Sequence, residues 1–216
     1  ILSYIRFYFA QSICKIPILL HLKANYTVDM TKKTAILLIA DGSEEMEAVI
    51  TTDILRRAEV DVTVAGLTEN PYVNCSRNVK IHVDAKLQDV INQKYDVVIL
   101  PGGLDGSKAF ASSAEVGKLL QRQQEENRFI AAICAAPTAL KAHGIAKGKQ
   151  ITSYPAMKDQ LVDYYKYLEN KVVIDGMYIY TSRGPATAFA FGLAIAEKLI
   201  DKQTADNVAQ AMLYVQ

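Results

Sequence analysis

The sequence predicts an α/β sandwich, in which a mostly parallel sheet is covered by helices on both faces. Short apolar runs alternate with amphipathic segments from Lys33 onward, which is the pattern of strands and helices in turn. Several runs are apolar throughout, without the alternation expected of a strand that faces water on one side. Such strands are typical of parallel sheets buried on both faces. The length of 216 residues, 50% of them hydrophobic, fits one domain with a sizeable core.

The predicted elements follow one another in a regular order. The N-terminal part predicts a β-α-β unit at 34–40, 43–58 and 60–67, followed by an extended segment at 79–87. A strand running into a Gly-rich turn is predicted at 95–103, and a helix at 113–126. The C-terminal part predicts a strand at 128–133, a helix at 136–144 and a strand at 149–153. A hairpin at 171–182 and a helix at 185–200 follow. Ser43 is the expected N-cap of the first helix, and Asp175 with Gly176 the expected hairpin turn.

The composition argues against several classes of protein. Since 24 basic and 23 acidic residues leave a net charge of +1, no surface for sequence-specific nucleic-acid binding is indicated. Cys14, Cys75 and Cys134 form no CxxC pair, which disfavours a disulfide framework and a zinc site and favours a reducing compartment. The Gly-rich phosphate-binding motifs of nucleotide sites do not occur. We therefore expect no metal and no cofactor.

Residues 1–29 differ from the rest of the chain, which we assign to one domain at 30–216. The segment is apolar and basic, with no acid before Asp29, and therefore fits a mitochondrial presequence loosely. Pro17 and the charges keep it below the roughly 18 uninterrupted apolar residues of a membrane span. The alternatives are an extension packed on the domain, or sequence that precedes a natural start at Met30.

A single cysteine stands between an apolar run and a helix start in "FIAAICAAPTAL", residues 129–140. Cys134 should lie near backbone N–H groups and the positive end of a helix, and both stabilise a thiolate. The setting is similar to a nucleophile elbow, with small alanines as neighbours. The competing interpretation is a buried structural cysteine, which is common. This stretch alone favours neither.

An acidic residue lies on the apolar face of the first predicted helix. Glu47 shares that face with Ile50 and Ile54, so it would be buried with a raised pKa and could donate a hydrogen bond to a thiolate. The loop before this helix and the turn at the cysteine belong at the same edge of a parallel sheet, so we expect the two to meet. Glu44 and Glu45 have a simpler explanation as first-turn charges favoured by the helix dipole.

Backbone donors and a base would complete a catalytic site. The amide of Gly103, in "PGG", and that of Ala135 are candidates to hold an oxyanion. The three histidines, His21, His82 and His143, have no compelling claim as a general base. Cysteine peptidase and amidotransferase chemistry relies on such a base, so both are disfavoured.

Six stretches are familiar in combination: "DGSEEMEAVITTDILRRA", "VTVAGL", "CSRNVKI", "DVVILPGGL", "IAAICAAPTAL" and "TSRGP". From about Lys32 to the C-terminus the chain resembles the Parkinson disease deglycase family, the DJ-one branch of the PfpI superfamily. The resemblance implies a flavodoxin-like fold, a homodimer, and a redox-active Cys134 hydrogen-bonded by a protonated Glu47. It places the Gly103 and Ala135 backbone on the oxyanion side.

The resemblance also implies functions. The family is credited with cofactor-free, glutathione-independent glyoxalase activity on methylglyoxal and glyoxal, with deglycation of their early adducts on protein and nucleotides, and with a role in the oxidative stress response. In both activities the Cys134 thiolate would attack an aldehyde while Glu47 shuttles the proton. The alternative is a non-catalytic oxidation sensor and redox-regulated chaperone, in which the cysteine becomes a sulfinic acid. We expect a cytoplasmic protein with mitochondrial and nuclear pools.

Two positions depart from the family pattern. Tyr154 stands where the family usually has a histidine before proline, in "TSYP". Because a tyrosine with a pKa near 10 is a poor base at neutral pH, we expect weak aldehyde turnover. His82 replaces a peripheral family cysteine, whereas Cys75 matches a second one near the family's dimer interface.

Overall fold

The structure is a computed structural model that describes residues 32–176 and 178–214. The segment 1–29, with Cys14 and His21, lies outside the described residues, so what we expect of it stays a prediction. The strands are β1 (Thr34–Ile39), β2 (Asp61–Gly66), β3 (Tyr72–Asn74), β4 (Lys80–His82), β5 (Ala85–Lys86), β6 (Val97–Leu100), β7 (Phe129–Ile133), β8 (Gln150–Ile151), β9 (Lys166–Tyr167), β10 (Val172–Asp175) and β11 (Ile179–Ser182). The helices are α1 (Glu45–Arg57), α2 (Leu87–Val90), α3 (Leu104–Ser112), α4 (Ala114–Glu125), α5 (Pro137–Ala142), α6 (Ala188–Leu199) and α7 (Lys202–Ala211), with 3₁₀ turns at Pro155–Gln160 and Pro185–Thr187.

Seven strands form the central sheet in the order β10-β11-β7-β6-β1-β2-β5. Neighbouring strands are parallel except in the β10–β11 hairpin, which pairs Val172 with Ser182. Two smaller sheets pair β3 with β4 and β8 with β9. The predicted sandwich and its hairpin are confirmed. Among the described helices, none has both the length and the apolar character needed to span a membrane.

The central strands are buried on both faces, as their unbroken apolar runs predicted. In β1, Ala35, Leu37 and Ile39 pack into a core with α1, α6 and α7. Ile36 and Leu38, which point the other way, pack into a second core with α3, α4 and α5. Successive side chains of a strand point to opposite faces, so one strand serves two cores. This double burial fits the position of β1 as an interior strand of the sheet, between β6 and β2.

Several local features differ from the prediction. Ser43 is not the N-cap of α1, because its Oγ accepts a hydrogen bond from the Ala40 N–H and closes the turn after β1. Glu44 takes the N-cap position without a side-chain cap. Helices α2, α3 and α7 were not predicted, although Asp201 caps α7 by accepting from the Thr204 N–H at 2.7 Å. The extended segment expected at 79–87 forms two short strands, β4 and β5, and then leads into α2.

The strand order brings three loops together. Strands β7, β6 and β1 are neighbours, so the loops that follow them lie at one edge of the sheet. The turn after β6 packs closely on the loop after β1, since the Glu44 N–H donates to the Gly102 carbonyl at 3.0 Å. Gly103 has a φ of +83°, and a Cβ atom there would lie 2.1 Å from the Gly42 carbonyl oxygen. Only glycine fits this position.

Candidate active site

Cys134 occupies a strained turn between β7 and α5. Its φ is +64°, a left-handed conformation that costs a non-glycine residue on the order of 1–3 kcal/mol. Its N–H donates to the Ser182 carbonyl at 3.0 Å, and its carbonyl accepts from the Tyr154 N–H at 2.8 Å. These two bonds hold the backbone while the thiol stays partly exposed. The elbow that the sequence predicted is therefore present.

Glu47 lies on α1 with its side chain wholly buried. Its Oε2 accepts a hydrogen bond from the Gly102 N–H at 2.6 Å, and its Oε1 has no partner among the described residues. A Cβ atom at Gly102 would lie 2.7 Å from Glu47 Oε2 and 3.0 Å from Cys134 Sγ. Because glycine has no Cβ atom, the Glu47 carboxyl group and the Cys134 thiol can approach each other beside the turn after β6.

Burial dominates the electrostatics of the pair. It raises the pKa of Glu47 to about 7, although the Gly102 N–H and the Cys134 thiol act in the opposite direction. Burial, followed by the negative charge of an ionised Glu47, raises the pKa of Cys134 to about 12. The Gly103 and Ala135 backbone amides act against that rise by hydrogen bonding at the sulfur. The two amides chosen from the sequence therefore do reach the cysteine.

The protonation of Glu47 decides what the site can do chemically. An ionised Glu47 repels a thiolate, because two like charges in a buried site disfavour each other. A protonated Glu47 carries no such charge and can donate its proton in a hydrogen bond to the sulfur. With the pKa of Glu47 near 7, the protonated form is populated at neutral pH. In that form Cys134 has three donors around it, which act against the effect of burial on its pKa and favour its use as a nucleophile.

Tyr154 borders this site through its backbone, which is bonded to Cys134. Its side chain is 47% exposed. The ring lies over Gly184, where a Cβ atom would be 3.5 Å from Tyr154 Cδ2. Tyr154 is therefore exposed beside the turn that carries Cys134, and its role as a substrate-pocket residue stays a prediction.

The loop after β3 holds the second described cysteine away from solvent. Cys75 is 3% exposed, and burial, with the charges of Glu45 and Glu44 as further causes, raises its pKa to about 11. The Ser76 hydroxyl lies 2.7 Å from Glu44 Oε2 and 2.9 Å from Glu45 Oε2. Both glutamates are buried against this loop, a contact that the helix dipole alone did not predict.

The described histidines have structural partners away from the thiol. His143 Nε2 lies 2.8 Å from the Phe110 carbonyl, and His82 Nδ1 lies 2.9 Å from that of Val83. In residues 32–176 and 178–214, no three His, Cys, Asp or Glu side chains lie close enough together to hold a metal ion.

Sequence reasoning missed two members of the site. Gly102 was read only as part of a turn, although the doublet in "PGG" was the signal that a side chain is excluded there. Ser182 gave no signal, since its role lies in a backbone carbonyl that any residue could supply.

Comparisons with known proteins agree with this architecture. The model of the DJ-1/PfpI family matches residues 33–198. Protein dj-1beta of Drosophila melanogaster is 51% identical over 181 residues, which cover 84% of this chain and 97% of the relative. Its crystal structure superposes with a TM-score of 0.84 at 50% identity, covering 86% of this chain and all of that one.

The names of two further relatives mention an enzymatic activity or an oxidised state. Glutathione-independent glyoxalase DJR-1.2 of Caenorhabditis elegans is 41% identical over 169 residues, covering 78% of this chain and 89% of the relative. The structure titled Toxoplasma gondii DJ-1, oxidized, has a TM-score of 0.81 at 34% identity and covers 85% of this chain and all of that one.

Proposed function

Because the chain belongs to the DJ-1/PfpI family and has its flavodoxin-like fold, we propose that it is a glutathione-independent glyoxalase with Cys134 as nucleophile. One observation carries the proposal: a partly exposed cysteine in a strained turn meets a buried glutamate whose pKa is raised to about 7. The named activity of the Caenorhabditis elegans relative supports it. The substrates are methylglyoxal and glyoxal, and the early adducts of these aldehydes on protein or nucleotides are a second class for the same thiolate.

The reaction begins with addition to the aldehyde of methylglyoxal. The Cys134 sulfur forms a bond to the aldehyde carbon, the carbonyl π bond breaks, and the oxygen becomes an oxyanion. The amides of Gly103 and Ala135, which reach the sulfur, are placed to hold that oxygen. Glu47 gives its proton to the oxyanion, and the product of this step is a hemithioacetal.

Glu47, now a carboxylate, completes the reaction as a base. It takes the proton from the former aldehyde carbon and returns it to the neighbouring ketone carbon, while the hydroxyl proton of the hemithioacetal passes to the ketone oxygen. The product is a lactoyl thioester on Cys134. Water then cleaves the carbon–sulfur bond and releases lactate and the thiol. The aldehyde carbon is oxidised while its neighbour is reduced, so no external oxidant or reductant is consumed. The raised pKa of Glu47 suits a group that both gives and takes a proton near pH 7.

The test is methylglyoxal turnover without glutathione, measured as lactate formed by wild type, Cys134→Ser and Cys75→Ser. We expect Cys134→Ser to be inactive, while Cys75→Ser, whose side chain is buried outside the site, turns over at the wild-type rate. Equal lactate formation by wild type and Cys134→Ser would overturn the proposed activity.

A second function is favoured by the partial exposure of Cys134 beside hydrogen-bond donors. In this role the protein is an oxidation sensor of the stress response, with redox-dependent chaperone behaviour, and peroxide converts the thiolate to sulfenic and then sulfinic acid. The oxidized relative from Toxoplasma gondii supports it. The two functions separate if suppression of aggregation of a client protein rises on oxidation in a preparation that shows no lactate formation.

The assembly and location are proposals that rest on the family. We propose a homodimer in the cytoplasm, with mitochondrial and nuclear pools. Light scattering at a series of protein concentrations decides the assembly, and a particle of 23.8 kDa, the mass of one chain, would contradict the dimer. Fractionation of cells with an antibody to the chain decides the compartments.

A further inference from the structure

The strained backbone of Cys134 needs support from its surroundings. A left-handed conformation at a non-glycine residue persists only where neighbouring contacts fix it. The Cys134 N–H has one such contact, the Ser182 carbonyl at 3.0 Å. Ser182 is the last residue of β11, which pairs with β7 up to Ile133. The bond to Cys134 therefore continues the strand pairing into the turn, and its geometry depends on where Ser182 is held.

The Ser182 side chain is fixed by two hydrogen bonds. Its Oγ lies 2.6 Å from the Lys171 carbonyl and 2.7 Å from Thr187 Oγ1. A carbonyl oxygen can only accept, so the Ser182 hydroxyl donates its one proton to Lys171. The bond between the two hydroxyls therefore needs the Thr187 proton, for which the Gly184 carbonyl at 2.9 Å is a second acceptor.

The hydroxyl oxygen of Thr187 makes several hydrogen bonds to the loop after β11. Its Oγ1 accepts from the Arg183 N–H at 3.2 Å and the Gly184 N–H at 3.0 Å. Its one proton is shared between Ser182 Oγ and the Gly184 carbonyl, so with the two accepted bonds the hydroxyl group is used to its full capacity. The Gly184 carbonyl has its own donor, the Thr187 N–H at 2.8 Å. No other side chain of this loop makes as many hydrogen bonds to it among the described residues.

We propose that Thr187 is a positioning residue, which holds Cys134 in its reactive conformation by fixing Ser182 and the loop behind it. This inference rests on the proposed function only for taking Cys134 as the reacting residue. Thr187 does not touch the thiol. It acts through the Ser182 carbonyl, and its loss would free the acceptor that keeps the turn in the left-handed region.

The experiment measures the rate at which iodoacetamide alkylates Cys134, by peptide mass mapping across a pH series. Thr187→Val keeps the shape of the side chain and removes the hydroxyl, whereas Thr187→Ser keeps the hydroxyl. We expect Thr187→Val to lower the alkylation rate at pH 7 by about tenfold or more and to move the pH profile upward, and Thr187→Ser to restore the wild-type profile. Thr152→Val is the matched control, because the buried Thr152 hydroxyl has no partner among the described residues.

The outcomes separate positioning from mere loss of stability. Alkylation of Cys134 at the wild-type rate and pH profile in folded Thr187→Val would overturn the proposal. Should that variant fail to fold, Ser182→Ala, which removes the same hydrogen bond, takes its place. A lower alkylation rate of Cys134 in Ser182→Ala supports the proposal, and the wild-type rate and pH profile overturn it. Where both fold, the double variant should lose no more than the larger single loss, since the two side chains act in one path. Alkylation needs no aldehyde, so a failed glyoxalase assay leaves this test intact.

Discussion

The carboxyl group of Glu47 and the thiol of Cys134 interact beside Gly102, where a Cβ atom would lie within 2.7 Å of Glu47 Oε2 and 3.0 Å of Cys134 Sγ. Glu47 comes from the first turn of α1, after β1, and Cys134 from the turn after β7, at the same edge of the sheet. Because the pair is buried, the charge of each group depends on the proton of the other. The chemistry of the site therefore depends on whether a proton lies on the Glu47 carboxyl group or on the Cys134 sulfur.

Glu47 should make the free energy of unfolding depend on pH. Its pKa is raised from 4.5 to about 7, so between these values the folded protein holds a proton that the unfolded chain has released. Stability present below pH 4.5 is then lost as the pH rises through 7, by roughly 3 kcal/mol. Urea unfolding of Cys134→Ser, which cannot form a thiolate, should show this loss between about pH 4.5 and pH 8.

The control for that measurement is the double variant Cys134→Ser with Glu47→Gln. A glutamine does not titrate, so this protein should lack the loss in the same range. Identical pH dependence of the two proteins would mean that Glu47 is ionised in the fold at acid pH.

Gly102→Ala should disable the site at modest cost to the rest of the fold. The added Cβ would lie 2.5 Å from Cys134 Cβ and would separate the thiol from Glu47. We expect the alkylation rate of Cys134 and the lactate yield to fall by about tenfold or more. Gly66→Ala is the matched control, since its Cβ would meet Val83 Cγ1 at 2.9 Å at a different strand end. Equal reactivity of Cys134 in the two variants would show that the close approach at Gly102 is unimportant.

Tyr154→His should increase aldehyde turnover. Tyr154 is exposed and its N–H is bonded to the Cys134 carbonyl, and we expect an imidazole at this position to act as a base toward the substrate. A positioned base contributes roughly 10²-fold, and kcat for methylglyoxal should rise by up to that factor. Tyr154→Phe, which adds no base, serves as the control. A folded Tyr154→His protein with an unchanged or lower kcat would refute this role.

Peroxide should oxidise Cys134 before the other cysteines. Cys75 is 3% exposed, so peroxide has little access to it, whereas Cys134 is partly exposed and has donors around it once Glu47 is protonated. Mild peroxide should add two oxygens to Cys134 and stop there, because the resulting sulfinate is held by Glu47 and the backbone amides. Peptide mass mapping over a peroxide series reads the order, and earlier oxidation of Cys14 or Cys75 would contradict it.

The fold could be predicted where one kind of residue dominated a segment. The unbroken apolar run of β1 and the alternating faces of α1 identified both elements, and the two cores confirm them. Helix α3 was missed because "LDGSKAFAS" contains a glycine and two serines, which are weak helix formers. Ser43 was misassigned since its hydroxyl bonds backward to Ala40, a choice that local pattern does not reveal.

The candidate site could be predicted in part for the same reason. Glu47 and Cys134 stood out as an acid on an apolar face and a cysteine at a strand end, and the structure brings them together. Gly102 acts because it has no side chain between Glu47 and Cys134, and Thr187 acts through hydrogen bonds within its own loop. The glycine doublet was a local signal for Gly102, whereas the partners of Thr187 depend on tertiary distances, for which a single sequence carries no signal.

The central claim is that a protonated Glu47 donates to the Cys134 thiolate, and the pKa of that thiol in wild type, Glu47→Gln and Glu47→Ala tests it most directly. The pKa is read from the pH dependence of thiolate absorbance, with Cys134→Ser as the blank. If Glu47 is the donor, Glu47→Ala should raise the pKa of Cys134 by about one pH unit, and Glu47→Gln, which keeps a donor, should raise it less. If Glu47 is instead ionised beside the thiol, both variants remove a negative charge and lower that pKa, and this result would contradict the account.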